Sequence, residues 1–192
     1  MAKKILWGTG VGAVAIFLVT FAWHMTPIAE TGITSLPHEE VLGPAMKLAI
    51  SQPGWYLFPG MDVNKQSDPA EQKRYQAAFT KGPTGLLIYH PGGEEFSFRK
   101  LLATQFLFSV GSALVISCLL AMAAGALPGF GQRVAFICVV ALFGAFTTDL
   151  PYWNWYGFPL NYTIAHLAGI VLTWAVAGCA VAAVVKPTKP AA

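Results

Sequence analysis

The sequence predicts an all-α membrane protein: a four-transmembrane-helix bundle with a small α+β extracytoplasmic segment between helices 1 and 2. Three observations predict it. Only 11% of the 192 residues are charged while 55% are hydrophobic, against about a quarter charged in soluble domains. The apolar residues gather into four long runs. The basic residues that flank those runs sort to one side.

The first run, Ile5 to Met25, is about 21 residues long and meets no ionisable group until His24. Leu101 to Leu127 carries no charge at all. Val134 to Leu150 is shorter and holds Asp149 near its end, and Thr163 to Val185 is interrupted only by His166. A helix rising 1.5 Å per residue needs about 20 residues to cross a hydrocarbon core roughly 30 Å thick. Hydrocarbon offers backbone groups no partner outside the helix, so each run reads as a spanning helix. The first reads as an uncleaved anchor, because Trp23, His24 and Met25 stand where a signal peptide has small residues. The chain thus divides into transmembrane helix 1 (1–25), an extracytoplasmic segment (26–98), transmembrane helices 2–4 (99–186) and a cytoplasmic tail (187–192).

With four spans both termini share a side. That side holds Lys3, Lys4, Arg133, Lys186 and Lys189 and no acid, a net of +5, and the other side nets −2. Lys and Arg beside short loops mark the cytoplasmic face, so both termini are expected inside. Arg99 and Lys100, at the outer start of the second run, run against this rule, but a long preceding loop weakens their weight and both side chains can snorkel. The basic pI of about 8.8 then reports topology rather than affinity for nucleic acid. Gly8 and Gly12 form a GxxxG, and Ala165 with Gly169 a small-xxx-small pair, which allow close helix approach within a bundle or between copies.

The outer segment is small for a core of its own and has no cysteine to staple it. Asp68-Pro69-x-Glu71 predicts a helix start over 69–80, with Asp68 as cap and Glu71 in capping-box position. Pro37 to Ser51 has helical spacing, with Gly43-Pro44 expected to kink or restart it. Trp55 to Phe58 and Leu86 to Tyr89, each bounded by Gly and Pro, read as a strand pair. Pro151 to Pro159, rich in Trp and Tyr, reads as an interfacial turn between helices 3 and 4. Its alternative is a stacking platform in which Trp153, Trp155 and Tyr156, with Arg99, bind a ligand.

Ionisable groups inside a bilayer are costly and so mark candidate sites. Threading brings His24, Asp149 and His166 to one outer level, where Glu30, His90, Glu94, Glu95 and Arg99 can join them. Three readings stand. Asp149 pairs with His166 or Arg99 in a plain interfacial cluster. His24, His166 and a carboxylate hold a transition metal. Or the two histidines ligate haem, or bind a quinone against Trp153 and Trp155. Cys118, Cys138 and Cys179 lie within apolar runs with no CxxC and read as core residues. No nucleotide loop or GxSxG elbow is present.

Several motifs carry a resemblance: Trp23-His24-Met25, Leu36-Pro37-x-Glu39-Glu40, Pro53-Gly54-x-Tyr56-x-Phe58-Pro59-Gly60, Gly82-Pro83-Thr84-Gly85-Leu86-Leu87, Tyr89-His90-Pro91 and Tyr152-Trp153-Asn154-Trp155-Tyr156-Gly157-Phe158-Pro159. Over most of its length the chain resembles a group of uncharacterised bacterial four-helix membrane proteins with no assigned activity. The resemblance implies architecture and a place in the bacterial inner (cytoplasmic) membrane. A claudin-like layout shares the helix order, but its external cysteine pair is missing. The function expected is that of a non-enzymatic accessory or interaction protein, whose partners are the lipid bilayer and another membrane protein or a second copy. The alternative is a small haem-, quinone- or metal-binding redox protein using His24, His166 and Asp149.

Overall fold

The computed structural model describes residues 1–93 and 95–187; Glu94 and Lys189, both named above, lie outside the described residues. It is mostly helical with one small sheet. The order is α1 (Ala2–His24), α2 (Glu39–Ala49), β1 (Gly54–Phe58), α3 (Pro69–Lys81), β2 (Gly85–Tyr89), α4 (Phe98–Ala123), α5 (Phe130–Tyr156) and α6 (Leu160–Val184). Among the described residues, α1, α4 with its 3-10 extension to Ala126, α5 and α6 are long and apolar enough to cross a membrane. Large apolar side chains such as Leu18, Phe108, Val139 and Leu172 cover their outer faces, as expected of helices solvated by hydrocarbon rather than water.

Two compact bodies form. The first contains Met1–Thr34, Phe96–Trp153 and the chain from Phe158; the second contains Ser35–Glu95 with Asn154–Gly157.

In the first body α1 packs closely on α4 and α6. A Cβ on Gly8 would stand 2.7 Å from Val185 Cγ2 and 2.8 Å from Ser117 Oγ. One on Gly12 would stand 2.7 Å from Val181 Cγ2 and 3.1 Å from the Ala113 Cβ. The GxxxG stripe is therefore occupied by neighbours of the same chain. Gly169 does the same on α6, where the Trp23 indole fills the space a side chain would need. α5 keeps its backbone farther from its neighbours and touches them through larger side chains, Ile137 and Val134 lying against Gly178. Ile116, Leu120, Ile137, Val181 and Val185 make the main buried cluster.

Two ties close the end of this body where α1 begins and α6 ends. Lys4 Nζ donates to the Lys186 carbonyl at 2.8 Å. Arg133, only 4% exposed, donates to the carbonyls of Ala182 (3.2 Å), Leu127 (3.2 Å) and Pro128 (2.7 Å). Those carbonyls carry the partial negative charge of helix and turn ends, which a guanidinium fork satisfies without an acid.

Three local expectations are corrected. The third apolar helix does not stop at Leu150: α5 runs through Pro151 to Tyr156, so most of the aromatic segment is its last turns. Pro151 removes one bond, to the carbonyl four residues back, and spanning helices tolerate that loss. The helix ends where Gly157 supplies the positive φ of +72° that a sharp exit needs. Of the two outcomes expected at Gly43-Pro44, the restart does not occur: α2 is one helix with Pro44 at its middle, where the ring forfeits one backbone bond. Glu71, finally, does not close a capping box. Its carboxylate accepts from the Asp62 amide and from Arg74 instead.

In the second body the strands pair antiparallel, with Trp55 opposite Ile88 and Leu57 opposite Leu86. α3 starts at Pro69, with the Asp68 carboxylate accepting from the Ala70 amide. Arg74 also donates to the Gly60 carbonyl at 2.8 Å, so the Glu71–Arg74 pair ties the 60–62 turn to α3. Tyr89 is the one large side chain of this body that is buried among the described residues.

Candidate functional site

The first body contains a cleft of about 950 Å³ walled by α4, α5 and α6. Its α6 wall is a stripe at four-residue spacing, Tyr162, His166, Ile170 and Trp174, which one helix face presents in line. From α5 come Val140, Ala141, Gly144, Ala145, Thr148, Asp149 and Tyr152. Leu107, Phe108, Gly111, Ser112, Val115 and Ile116 come from α4. Most of the lining is apolar.

The polar exception lies at one end. His166 Nδ1 and Asp149 Oδ1 are 2.6 Å apart, with the carboxylate largely covered and the imidazole half exposed. An ionised carboxylate only accepts, so the His166 Nδ1–H donates and Nε2 is the ring's remaining hydrogen-bonding atom. Three rings lead in sequence to His166. Tyr152 and Phe158 have centroids 5.5 Å apart, Phe158 and Tyr162 5.6 Å, and Tyr162 and His166 5.8 Å with planes 5° apart. The Phe158 amide donates to the Tyr152 carbonyl across the α5–α6 turn, which holds the second ring against the first.

His24 does not line this cleft. It is exposed at the end of α1, and its Nδ1–H donates to the Thr20 carbonyl at 2.8 Å. It shares only a smaller cavity of about 200 Å³ with His166, lined also by Trp23, Thr173 and Trp174. Asp149 therefore pairs with His166 and not with Arg99, which lies exposed in the first turn of α4. Trp153 and Trp155 do not line the cleft, and Tyr156 packs on Trp55 in the second body with ring centroids 5.2 Å apart. Among the described residues no three His, Cys, Asp or Glu side chains gather as a metal site.

Of the residues singled out from the sequence, Asp149 and His166 line the cleft; Tyr162, Phe158, Thr148 and Trp174 line it too and were not among the site candidates. The signal was present for α6: the four-residue repeat 162–166–170–174 marks one face. For Phe158 no such signal existed, because the residue follows a turn and its placement depends on where α5 ends.

No family model matches this chain, and no curated protein or solved structure does either.

Proposed function

We propose that this chain is a multi-pass protein of the bacterial cytoplasmic membrane, with both termini inside, that acts by binding as a non-enzymatic accessory or interaction protein. The orientation rests on the basic residues at the chain ends and at the α4–α5 turn. The observation that carries the binding role is the apolar surface of the second body. Trp55, Leu57 and Ile88, paired side by side on one sheet face, are 53%, 55% and 64% exposed, and Trp155 is 77% exposed. A body of this size outside the hydrocarbon does not leave such side chains wet unless something covers them. The occupant proposed is another membrane protein or a second copy, alongside the bilayer surface.

Crosslinking in intact cells, followed by purification in mild detergent, tests this. A defined crosslinked species is expected, reduced when Trp55 and Leu57 are changed to Ser. A chain that stays alone at every crosslinker length overturns the reading.

The second reading, a small redox protein, draws on the Asp149–His166 pair. For haem or a transition metal the ligands would be His166 Nε2 and His24 Nε2, since both Nδ1 atoms are engaged within the chain. A Soret band or stoichiometric metal in purified protein, lost in His24→Ala and His166→Ala, is the expected result for that reading. A colourless, metal-free preparation rejects its haem and metal forms.

A further inference from the structure

We propose that the cleft between α4, α5 and α6 is a binding site for a prenylated quinone in its oxidised and reduced forms. The inference deepens the second reading, from which it takes the Asp149–His166 pair, and rests on the membrane location.

The cleft sorts its ligand by chemistry along its length. Its volume of about 950 Å³ lies at the upper end of the range, roughly 300–1,000 Å³, that holds small ligands. The stretch toward Val115, Val140 and Ile170 offers no charge, which suits a hydrocarbon tail. The other end offers flat ring surface from Tyr152, Phe158 and Tyr162, which suits a planar head stacked on them.

The head is uncharged. Neither Lys nor Arg is among the lining residues, and the one ionisable partner of His166 is the acid Asp149. A phosphate or a fatty-acid carboxylate entering there meets the like charge of Asp149 with no Lys or Arg to offset it. That argues against a phospholipid head or a free fatty acid.

His166 Nε2 then narrows the class further. With Nδ1 held by Asp149, Nε2 accepts from a hydroxyl when bare and donates to a carbonyl when it carries a proton. A ring whose oxygens interconvert between carbonyl and hydroxyl can use both states of that atom. Access is from the hydrocarbon, because α5 stands farther from its neighbours than α1 does.

The test uses the full chain in phosphatidylcholine nanodiscs and a decyl-substituted benzoquinone, oxidised and chemically reduced, with quenching of tryptophan fluorescence as readout. Trp174 lies in the cleft, so saturable quenching with one site per chain is expected. His166→Gln is expected to weaken it at least tenfold. Gly144→Phe does so by filling the cleft, because no atom lies within 4 Å of where its Cβ would stand. Gln76→Ala, on α3, is expected to leave binding unchanged. If His166→Gln does not fold, Gly144→Phe decides the matter alone. Linear partitioning that is equal in all variants overturns the site, as does a phosphatidylcholine that saturates the cleft and is not displaced. Membrane fractionation of the same cells separates the two failures: an inserted chain that does not bind sinks only this inference, and a chain that is not inserted sinks the function it rests on.

Discussion

A bare α-carbon at Gly8 lets α1 lie against both α4 and α6, since the atoms that a Cβ would meet are 2.7 and 2.8 Å away. Gly8→Leu is expected to cost about 1–3 kcal/mol through overpacking, seen as a lower melting temperature in detergent. Gly10, two residues on, has open space at the same position, and Gly10→Ala is expected to leave the melting temperature unchanged or raise it. A melting temperature raised equally at the two glycines would show that helix propensity rather than packing governs. Arg133 is the other residue whose role the sequence hid. Read as one vote for the inner face, it is also a buried fork on three carbonyls. Arg133→Met is expected to destabilise by about 1.5–3 kcal/mol, the range for hydrogen bonds to a charged group. Arg133→Lys should recover only part, because an ammonium lacks the planar fork.

At the scale of elements, α3 began where its cap predicted, since Asp68 and Pro69 act on their own backbone. Arg74, three residues on, is a partner of Glu71 that helix spacing allows, but the Asp62 amide was not predictable, because it reaches Glu71 through a loop whose path no local rule sets. The Arg74 guanidinium and the Asp62 amide hold the Glu71 carboxyl down from the ordinary 4.5 to about 2. A depressed carboxyl contributes stability that is present above the unfolded value. That contribution is lost as pH falls from about 4.5 through about 2. The Asp62 amide shift in an NMR titration is expected to follow this low midpoint, and Glu71→Gln to abolish the transition. A midpoint near 4.5 would mean that the tie between α3 and the 60–62 turn does not form in solution.

Over the whole molecule, helix pairs of two kinds coexist. α1 meets α4 and α6 at short range through small residues, while α5 stands off and leaves the cleft. Spin labels at Val115 and Val139, on α4 and α5, are expected to give a broader distance distribution than labels at Leu18 and Leu172, on α1 and α6. The decyl benzoquinone should narrow the first pair and leave the second alone. Equal widths in the free protein would contradict a loosely packed α5. The threading is tested separately by cysteines placed for impermeant labelling in intact cells. Positions 47 and 73 are expected to react from outside, and position 131, in the α4–α5 turn, only after lysis.

By itself the sequence determined how many helices are long and apolar enough to span, where α3 and the strands begin, and which few polar groups lie within the apolar runs. These follow from run length, caps and turn residues, which act over a few neighbouring positions. Only the tertiary structure decided that Asp149 meets His166 rather than Arg99, that His24 lies outside the larger cleft, and that Phe158 completes a row of rings. Those outcomes depend on how far each helix is rotated and shifted against the next. In this chain that is set by contacts distant in sequence, such as Gly8 on Ser117 and Val185 and Gly169 on Trp23, and no local pattern encodes them.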